Sequence, residues 1–399
     1  MFDKKNKNAN TNLLIAVATI VVIILVGFLI TQYISTNHTK KAIEFNRTHF
    51  NENVEIYDVS VGKMNVKQAT KAINKKGKNR ATLKGNKVIL SQTNSKIITE
   101  DQVQAYFKKQ YTKYPSNNSW NFENKDLEIA KRKLDNLKDR EVTYVVADKT
   151  YVFKRSDYFK NVSYYNNKYH FGSTKALIDK IDSINKEVNT LHKKYPFKVP
   201  DGDTITVKNE SYGWAINTKR LVLGIEKALI SGTHKINGKD YIYGLGYSTY
   251  GTGYNLKNHG IGDTYIVVSI NQQKAWFYKH GKKVLELNDI VTGTAISSSN
   301  NGTSDETPTG VWYIQYKESP SVLKGQNDDG SSYSSKVQYW MPFTLSGCGF
   351  HDASWRTNWS KTAYLKGGSH GCVNIRPSEI KSVWDVVEQY EPVVIYKYR

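Results

Sequence analysis

An uncharged apolar stretch near the N-terminus is the feature that most restricts how this chain can fold. Residues 13–30 form a run of 18 residues without a charge, and the uncharged stretch extends to Ile34. A helix of about 20 apolar residues spans the hydrocarbon core of a bilayer. Residues 13–34 are therefore predicted to form a single transmembrane helix, with residues 1–12 as a cytoplasmic tail.

The residues on either side of this stretch predict its orientation. Lys4, Lys5 and Lys7 precede it, and positive charges favour the cytoplasmic side of a membrane. The alternative is a cleaved signal peptide, whose apolar region is roughly 7–15 residues long and ends at a small-x-small site. The stretch here is longer, and Thr31–Ser35 contains no Ala-x-Ala pattern. We therefore expect an uncleaved cell-membrane anchor, with the rest of the chain on the extracellular, cell-wall side.

Positive charge is concentrated in the first two thirds of the chain. The 399 residues carry a net formal charge of +21, whereas residues 261–399, with 14 basic and 13 acidic residues, contribute only +1. A basic region outside the cell would attract anionic wall polymers. Nucleic acid is the other partner that strong positive charge suggests. No helix-turn-helix, zinc-knuckle or aromatic RNA-binding motif is present, so no nucleic-acid partner is predicted.

Two blocks of mixed strands and helices follow the apolar stretch. In residues 35–140 the pattern predicts a helix capped by Asn65 and a hairpin that turns at Gly85-Asn86. In residues 141–260 it predicts further strands and a helix capped by Asn217. Because strand, strand and capped helix recur in this order, the blocks are predicted to be two copies of one α+β accessory unit.

The remaining chain is rich in predicted strands. Residues 244–263 contain six glycines, a composition typical of a linker. Residues 319–336 are polar and too long for a simple hairpin, which is typical of a lid or a disordered loop. After them we expect a strand over Val337–Phe343 and, near the C-terminus, a helix over Glu379–Tyr390 that Ser378 caps.

The octapeptide Ser369–Arg376 carries the clearest chemical signal. Its cysteine, Cys372, follows His370 and Gly371. A thiol attacks as the thiolate, and a nearby imidazole or turn dipole lowers its pKa. Glycine permits a positive φ, and the backbone N–H groups of Gly371 and Cys372 are placed to hold a developing oxyanion. The pattern predicts a nucleophile on a tight turn.

A nucleophilic cysteine needs a base, and the base needs a group that orients it. His351, followed by Asp352, lies 21 residues before Cys372. One alternative is a buried structural cysteine. Another is a zinc site formed by these three residues with His370. The spacing does not match the usual zinc-ligand pairs, so no metal or cofactor is predicted.

The combination of these motifs resembles a known family. His351, Ser369 eighteen residues later and the sequence Ser-His-Gly-Cys-Val-Asn resemble the signature of L,D-transpeptidases with a YkuD-type catalytic domain. Thr307–Gly310 and the preceding strands are similar to the same domain, so the resemblance covers residues 264–398. It implies a multidomain protein with one transmembrane helix, α+β accessory repeats and a mainly-β catalytic domain, a YkuD-type β-sandwich, over residues 261–399.

The resemblance implies a role for each matching residue. In that family the cysteine is the acyl-accepting nucleophile and the upstream histidine accepts and donates the proton. Asp352 matches the orienting acid of some members, whereas others use a backbone carbonyl. The expected catalytic residues are Cys372, His351, Asp352, His370 and Gly371. The expected substrate-binding residues are Ser369, Asn374, Arg376, Tyr339 and Trp340.

The implied activity is the cross-linking of peptidoglycan peptide stems through a cysteine thioester. Carbapenem-type β-lactams are the covalent inhibitors that the resemblance implies. Tyr212–Asn217 also resembles part of the peptidoglycan-binding repeats that precede some of these domains. Two alternatives stay open. One is an L,D-carboxypeptidase or other amidase with water as acceptor, and the other is a non-catalytic wall-binding protein that acts through its basic region.

Overall fold

The computed structural model describes residues 4–91, 97–110, 119–295, 305–327 and 329–398. The helices in these residues are α1 (Lys4–Asn46), α2 (Val66–Lys76), α3 (Glu100–Gln110), α4 (Lys125–Leu137), α5 (Arg155–Tyr158), α6 (Lys175–Val188), α7 (Thr218–Ser231), α8 (Tyr364–Gly367) and α9 (Ile380–Val386). The strands up to residue 243 are β1 (Val54–Ile56), β2 (Val59–Ser60), β3 (Arg80–Lys84), β4 (Lys87–Ser91), β5 (Trp120–Phe122), β6 (Glu141–Val146), β7 (Lys149–Lys154), β8 (Asn161–Tyr165), β9 (Lys168–Phe171), β10 (Lys194–Lys198), β11 (Thr204–Lys208), β12 (Ala215–Ile216), β13 (Lys235–Asn237) and β14 (Ile242–Tyr243). The later strands are β15 (Tyr265–Ser269), β16 (Lys274–Lys279), β17 (Lys282–Leu287), β18 (Gly310–Tyr313), β19 (Ser321–Gln326), β20 (Ser332–Val337), β21 (Trp340–Pro342), β22 (Gly349–Asp352), β23 (Val373–Ile375) and β24 (Pro392–Tyr396).

Helix α1 contains the apolar stretch. Within the described residues it is the one helix that is long and apolar enough to cross a membrane, and its apolar side chains are exposed. Its few hydroxyls bond within the helix: Thr19 Oγ1 donates to the Ile15 carbonyl and Thr31 Oγ1 to the Phe28 carbonyl, each at 2.8 Å. Such bonds satisfy polar groups that lipid cannot. α1 is therefore a candidate membrane anchor.

The first compact unit comprises Met1–Asp139 and Phe159–Gly172. It contains a four-stranded sheet of order β4-β3-β8-β9 and a three-stranded sheet of order β2-β1-β5. In the four-stranded sheet, β3 pairs antiparallel with β8 through fully buried Leu83 and Val162. The division of the accessory region expected at residue 140 thus separates strands that pair, because the β8–β9 hairpin completes a sheet whose first strand, β3, begins 81 residues before β8.

Two local predictions in the first unit are confirmed. Asn65 accepts a hydrogen bond from the Gln68 backbone N–H, and the Gln68 side chain accepts one from the Asn65 N–H, which is a capping box at the start of α2. The β3–β4 hairpin turns at Gly85, whose φ is +56°. Short-range turn and cap chemistry was sufficient for both predictions.

The second compact unit comprises Arg140–Tyr158 and Ser173–Arg399. Its C-terminal part packs a five-stranded sheet, β17-β16-β15-β24-β18, against a three-stranded sheet, β21-β22-β23. Alternate residues of a strand point to opposite faces. In β15, Ile266 and Val268 pack in one core with Phe350 of β22, whereas Val267 packs on the other face with Phe197 of β10. The mainly-β sandwich predicted for the C-terminal domain is confirmed.

The glycine-rich segment 244–263 is not the simple linker that its composition predicted. The Tyr212 hydroxyl donates to the Gly260 carbonyl at 2.6 Å. A Cβ on Gly251 would lie 2.5 Å from Cβ of Trp214. The glycines here permit turns with positive φ and close approach to neighbouring side chains, so the segment is folded onto its own unit.

Three further predictions near the site were wrong in detail. The polar segment before residue 337 contains the hairpin β19–β20, despite its length. The strand expected over Val337–Phe343 is interrupted, because the Gln338 and Tyr339 backbone N–H groups donate to the Asp352 carboxylate. The helix α9 spans only Ile380–Val386, and Ser378 does not cap it.

Candidate active site

The predicted base and nucleophile are positioned by two neighbouring parallel strands. His351 lies in β22, and Cys372 directly precedes β23. The register pairs His351 with Asn374 and Phe350 with Val373. His351 therefore lies on one strand of the sheet, and Cys372 lies immediately before the adjacent strand, near the start of β22.

The sulfur of Cys372 lies against the backbone that leads into β22. Its Sγ is 3.9 Å from the Gly347 carbonyl oxygen, and the Gly349 backbone N–H donates to it. The residue is partly exposed. Burial of the thiol, followed by the neighbouring Cys348, raises the pKa of Cys372 to about 12. The lowered thiol pKa expected from the sequence is not found, because loss of water disfavours the thiolate.

The turn before Cys372 is fixed by hydroxyl groups and by glycine. Ser369 Oγ donates to the Cys372 carbonyl at 2.6 Å and accepts from the Gly371 N–H at 3.2 Å. Gly371 has a φ of +107°, and a Cβ there would lie 2.7 Å from Cys348 Sγ. Buried Thr307 donates to the Gly371 carbonyl and accepts from the Gly293 N–H, both at 2.9 Å. Only glycine fits this position of the turn without strain.

The imidazole of His351 is buried and held at both nitrogens. Its Nδ1 lies 2.9 Å from the Asp352 backbone carbonyl, and its Nε2 lies 3.0 Å from the Asn374 side-chain nitrogen. Burial lowers the pKa of His351, and the charge of Arg356 lowers it further, whereas the Asp352 carbonyl and carboxylate raise it. The net shift is downward, so the imidazole is neutral near pH 7 and able to accept a proton.

Asp352 contacts the histidine through its backbone and not through its carboxylate. The carboxylate accepts from the Gln338 N–H at 2.9 and 3.0 Å and from the Tyr339 N–H at 2.9 Å. Of the two expected ways to orient the base, the structure has the backbone carbonyl. The Asp352 side chain instead fixes the break between β20 and β21.

His370 packs against an aromatic side chain of the β19–β20 hairpin. Its ring stacks on Tyr333 of β20, with centroids 5.3 Å apart and an interplanar angle of 9°. Burial, followed by the proximity of Cys372 and Cys348, raises the pKa of Tyr333. The hairpin β19–β20 thus brings an aromatic side chain to the nucleophile turn, a role that the alternation of polar residues in β20 did not reveal.

The other predicted substrate-binding residues have varied surroundings. Trp340 is buried, with its ring centroid 5.9 Å from that of His351. Tyr339 packs on Trp384 of α9 at 5.0 Å. Arg376 lies over the Trp359 ring and is 3.6 Å from Asp289. Trp340 therefore supports the base, whereas the surroundings of Tyr339 and Arg376 are aromatic packing and an ion pair.

The sequence reasoning missed two residues on the loop after β22. Trp355 stacks near His351, with centroids 5.8 Å apart. Arg356 donates from Nε to Asn374 Oδ1 at 2.9 Å. Their proximity to the His351-Asp352 pair was the only available signal. In the described parts of the chain, no three His, Cys, Asp or Glu side chains converge as metal ligands do.

Comparison with protein families identifies two segments. Residues 263–395 match the YkuD family, described as "L,D-transpeptidase catalytic domain". Residues 153–237 match the family described as "Putative peptidoglycan binding domain". The first segment contains the whole candidate active site. No curated protein matches the chain.

Solved structures of L,D-transpeptidases are similar to the chain. The avibactam carbamoyl enzyme of Ldtfm is 28% identical, with a TM-score of 0.50 over 68% of this chain and 100% of that chain. A cysteine-to-serine mutant of the Enterococcus faecium enzyme is 28% identical, with a TM-score of 0.49 over 66% and 98%. The catalytic domain from E. faecium, solved by NMR, is 42% identical, with a TM-score of 0.30 over 34% and 97%.

These matches agree with the geometry of the sheet that carries His351 and Cys372. The family match covers the whole sandwich, and the Ldtfm structure extends the similarity into the accessory region. The chain therefore carries the YkuD-type catalytic domain of an L,D-transpeptidase together with a peptidoglycan-binding domain, and it is an enzyme of the acyltransferase class.

Proposed function

We propose that the C-terminal domain cross-links peptidoglycan peptide stems through a thioester on Cys372, with His351 as base and acid. The observation that carries the proposal is the adjacency of β22 and β23, which sets a neutral buried imidazole beside the strand that Cys372 leads into. A general base near neutrality is the partner that a protonated thiol requires.

The first half of the reaction forms the acyl-enzyme. The Cys372 thiol gives its proton to His351 Nε2 as the sulfur attacks the carbonyl carbon that precedes a terminal D-residue. The backbone N–H of Cys372 stabilises the oxyanion, since the Gly371 N–H already donates to Ser369 Oγ. The C–N bond then breaks, and the leaving amine takes the proton from His351, which leaves a thioester on the sulfur.

The second half transfers the acyl group. The amine of a neighbouring stem attacks the thioester carbonyl and gives a proton to His351. The C–S bond breaks, and the proton returns to the sulfur, so the enzyme is restored and one amide has replaced another. Because the thiol is protonated in the resting protein, each transfer moves its proton through the imidazole.

The direct test is mass spectrometry of the products that the full-length chain makes from disaccharide-peptides. Wild type is expected to yield cross-linked dimers, and C372A none. C348A is the matched control, because it removes the adjacent thiol and keeps the proposed nucleophile. Cross-links made by C372A at the wild-type rate would contradict the proposal. Products formed only with water, even when an acceptor amine is present, would assign a carboxypeptidase.

Covalent inhibition provides a second test of the same sulfur. The similar Ldtfm structure is described as an avibactam carbamoyl enzyme, which supports a nucleophile open to acylating drugs. We expect a carbapenem-type β-lactam to add its mass to the peptide that contains Cys372. An adduct on the Cys348 peptide alone would contradict this assignment.

The accessory region and α1 support a location of this chemistry at the cell wall. We propose that α1 anchors the chain with its N-terminus inside, that the segment matched at 153–237 contacts peptidoglycan, and that the basic region attracts anionic wall polymers. The exposed apolar surface of α1 and the family match support the first two assignments. Protease digestion of intact cells should remove the catalytic domain if it lies outside.

A further inference from the structure

The guanidinium of Arg356 links the two halves of the active site. Its Nε donates to Asn374 Oδ1 at 2.9 Å, next to the base. Its Nη1 donates to the Gly367 carbonyl at 2.7 Å and its Nη2 to the Gly368 carbonyl at 3.1 Å. These glycines lead directly into the nucleophile turn. One side chain therefore holds both the histidine's partner and the segment before Cys372.

No carboxylate explains the presence of this cation. Arg356 belongs to none of the ion pairs found among the described residues. It is half-buried, and its recorded partners are neutral oxygens. Keeping a cation half-buried without a counter-ion costs free energy, which suggests that its donors serve the site.

The donor-only chemistry of arginine determines how the Asn374 amide is turned. A guanidinium has no acceptor, so the amide oxygen of Asn374 must face Arg356. The amide NH2 group must then face His351 Nε2, which lies 3.0 Å away and can only accept. The remaining ring nitrogen, Nδ1, carries the proton and donates to the Asp352 carbonyl at 2.9 Å.

The Asn374 amide group at Nε2 also disfavours the doubly protonated ring of His351. An imidazolium needs an acceptor at both nitrogens, but Nε2 faces a donor for as long as Arg356 holds the amide. The charged groups that act on His351 are Asp352 and Arg356, and the rings packed against it belong to Trp340 and Trp355. Both the charge of Arg356 and its hydrogen bond therefore oppose protonation of the base.

We propose that Arg356 is a positioning residue that orients the Asn374 amide, holds His351 as the neutral Nδ1–H tautomer with Nε2 unprotonated, and ties this base to the nucleophile turn. This inference rests on the proposed role of His351 as base. The position of the proton is itself observable without any substrate.

The test is 15N NMR of the full-length chain in detergent with labelled histidine, titrated with pH. Wild type should show His351 as the Nδ1–H tautomer over the neutral range. In R356Q the amide is free to turn its oxygen to Nε2, so the midpoint of His351 protonation should rise by about one pH unit or more. R356K keeps the positive charge but loses the planar guanidinium that donates to three acceptors at once. Its midpoint should lie between those of wild type and R356Q.

Two further variants complete the test: N374D changes the group that faces Nε2, and R140Q is a control. N374D presents an oxygen to Nε2 while still accepting from Arg356, so it should raise the midpoint as well. R140Q is the matched control: Arg140 also donates to backbone carbonyls, those of Leu229 and Ile230, at 2.6 Å each. R140Q should leave the His351 signals as in wild type.

Activity then separates this inference from the proposed function. In R356Q the acid limb of the acylation rate should move upward together with the NMR midpoint. If R356Q and R356K both keep the wild-type tautomer and midpoint, the inference is overturned even if cross-linking is confirmed. If wild type makes no cross-links but its His351 signals respond as described, the proposed function fails and the role of Arg356 in holding the tautomer stands.

Discussion

The turn that carries the nucleophile and the strand that carries the base are held in different ways. The positive φ of Gly371 and the side-chain hydroxyls of Ser369 and Thr307 fix the turn. Hydrogen bonds at both ring nitrogens fix the base, one to the Asp352 backbone carbonyl and one with the Asn374 side chain. Burial favours the neutral form of both groups, because it raises the pKa of the thiol and lowers that of the imidazole.

Because both groups are neutral, Cys372 and His351 do not form a thiolate–imidazolium ion pair before substrate binds. A neutral thiol is a weak nucleophile, so in the proposed mechanism its reactivity depends on transfer of its proton to His351. Changes to the turn should therefore alter the position of the sulfur, whereas changes around the base should alter the pH at which the site works.

The largest effect is expected from G371A, which tests the backbone side of the comparison. Alanine at a φ of +107° is strained, and its Cβ would lie 2.7 Å from Cys348 Sγ. Such strain costs about 1–3 kcal/mol, and a sulfur displaced by about 1 Å should lose roughly 100-fold in acylation rate. The rate of carbapenem adduct formation measures the loss.

Two comparisons sharpen that result. A Cβ on Gly367 would meet nothing within 4 Å, so G367A should acylate as wild type does. Adding C348A to G371A removes the clash but not the strain, and it should restore only part of the rate. Full activity of G371A alone would show that the turn does not position the sulfur.

The pH dependence should expose the base side. Because the pKa of His351 lies below its usual value of about 6.5, acylation should persist at pH 6.5 and fall as pH drops through this lowered pKa. The folded protein also binds this proton less readily than the unfolded chain. The free energy of unfolding should therefore decrease as the pH drops below about 6.5. Adduct formation and thermal unfolding across pH 4–8 measure both effects.

The raised pKa of the Cys372 thiol predicts the alkaline side of the pH dependence. With its pKa near 12, the rate of alkylation of Cys372 by iodoacetamide should rise about tenfold per pH unit up to that pKa, since only the thiolate reacts. A plateau in the alkylation rate by pH 8 would indicate that Cys372 is already a thiolate at that pH, and it would contradict the raised thiol pKa.

The smallest effect is expected from T307V. Thr307 is buried and bridges the Gly293 N–H and the Gly371 carbonyl, so valine would leave both without this partner. Loss of a buried hydrogen-bond partner costs about 1–3 kcal/mol, which a lower unfolding temperature would report. T309V, at an exposed position, should unfold as wild type does. An unchanged unfolding temperature for T307V would argue against this support of the turn.

The sequence was informative where chemistry is local. The His351 and Ser369–Cys372 motifs, the Asn65 capping box and the Gly85 turn each involve residues that are close in sequence or fixed in spacing. Such patterns act through backbone conformation, which neighbouring residues largely determine. The fold class of the C-terminal domain followed from the family resemblance that these motifs carry, and strand alternation and apolar runs, which are recognised within short windows, agreed with it.

Contacts between residues far apart in the sequence could not be predicted in this way. The contact of Arg356 with Asn374 joins residues 18 apart, and the stacking of Tyr333 on His370 joins residues 37 apart. A lone arginine or tyrosine in a polar segment gives no sign of its partner. The raised pKa of Cys372 likewise depends on burial, which only the packed sheet provides.

The pairing of the β8–β9 hairpin with β3 has a practical consequence for dividing this protein into pieces. The chain leaves the first compact unit after Asp139, re-enters it at Phe159 and leaves again after Gly172. A recombinant fragment that starts at residue 141 would retain the hairpin but lose its neighbouring strand, and a bare β8 edge invites aggregation. Chimaeras and truncations should keep residues 80–84 and 161–171 together, or omit both.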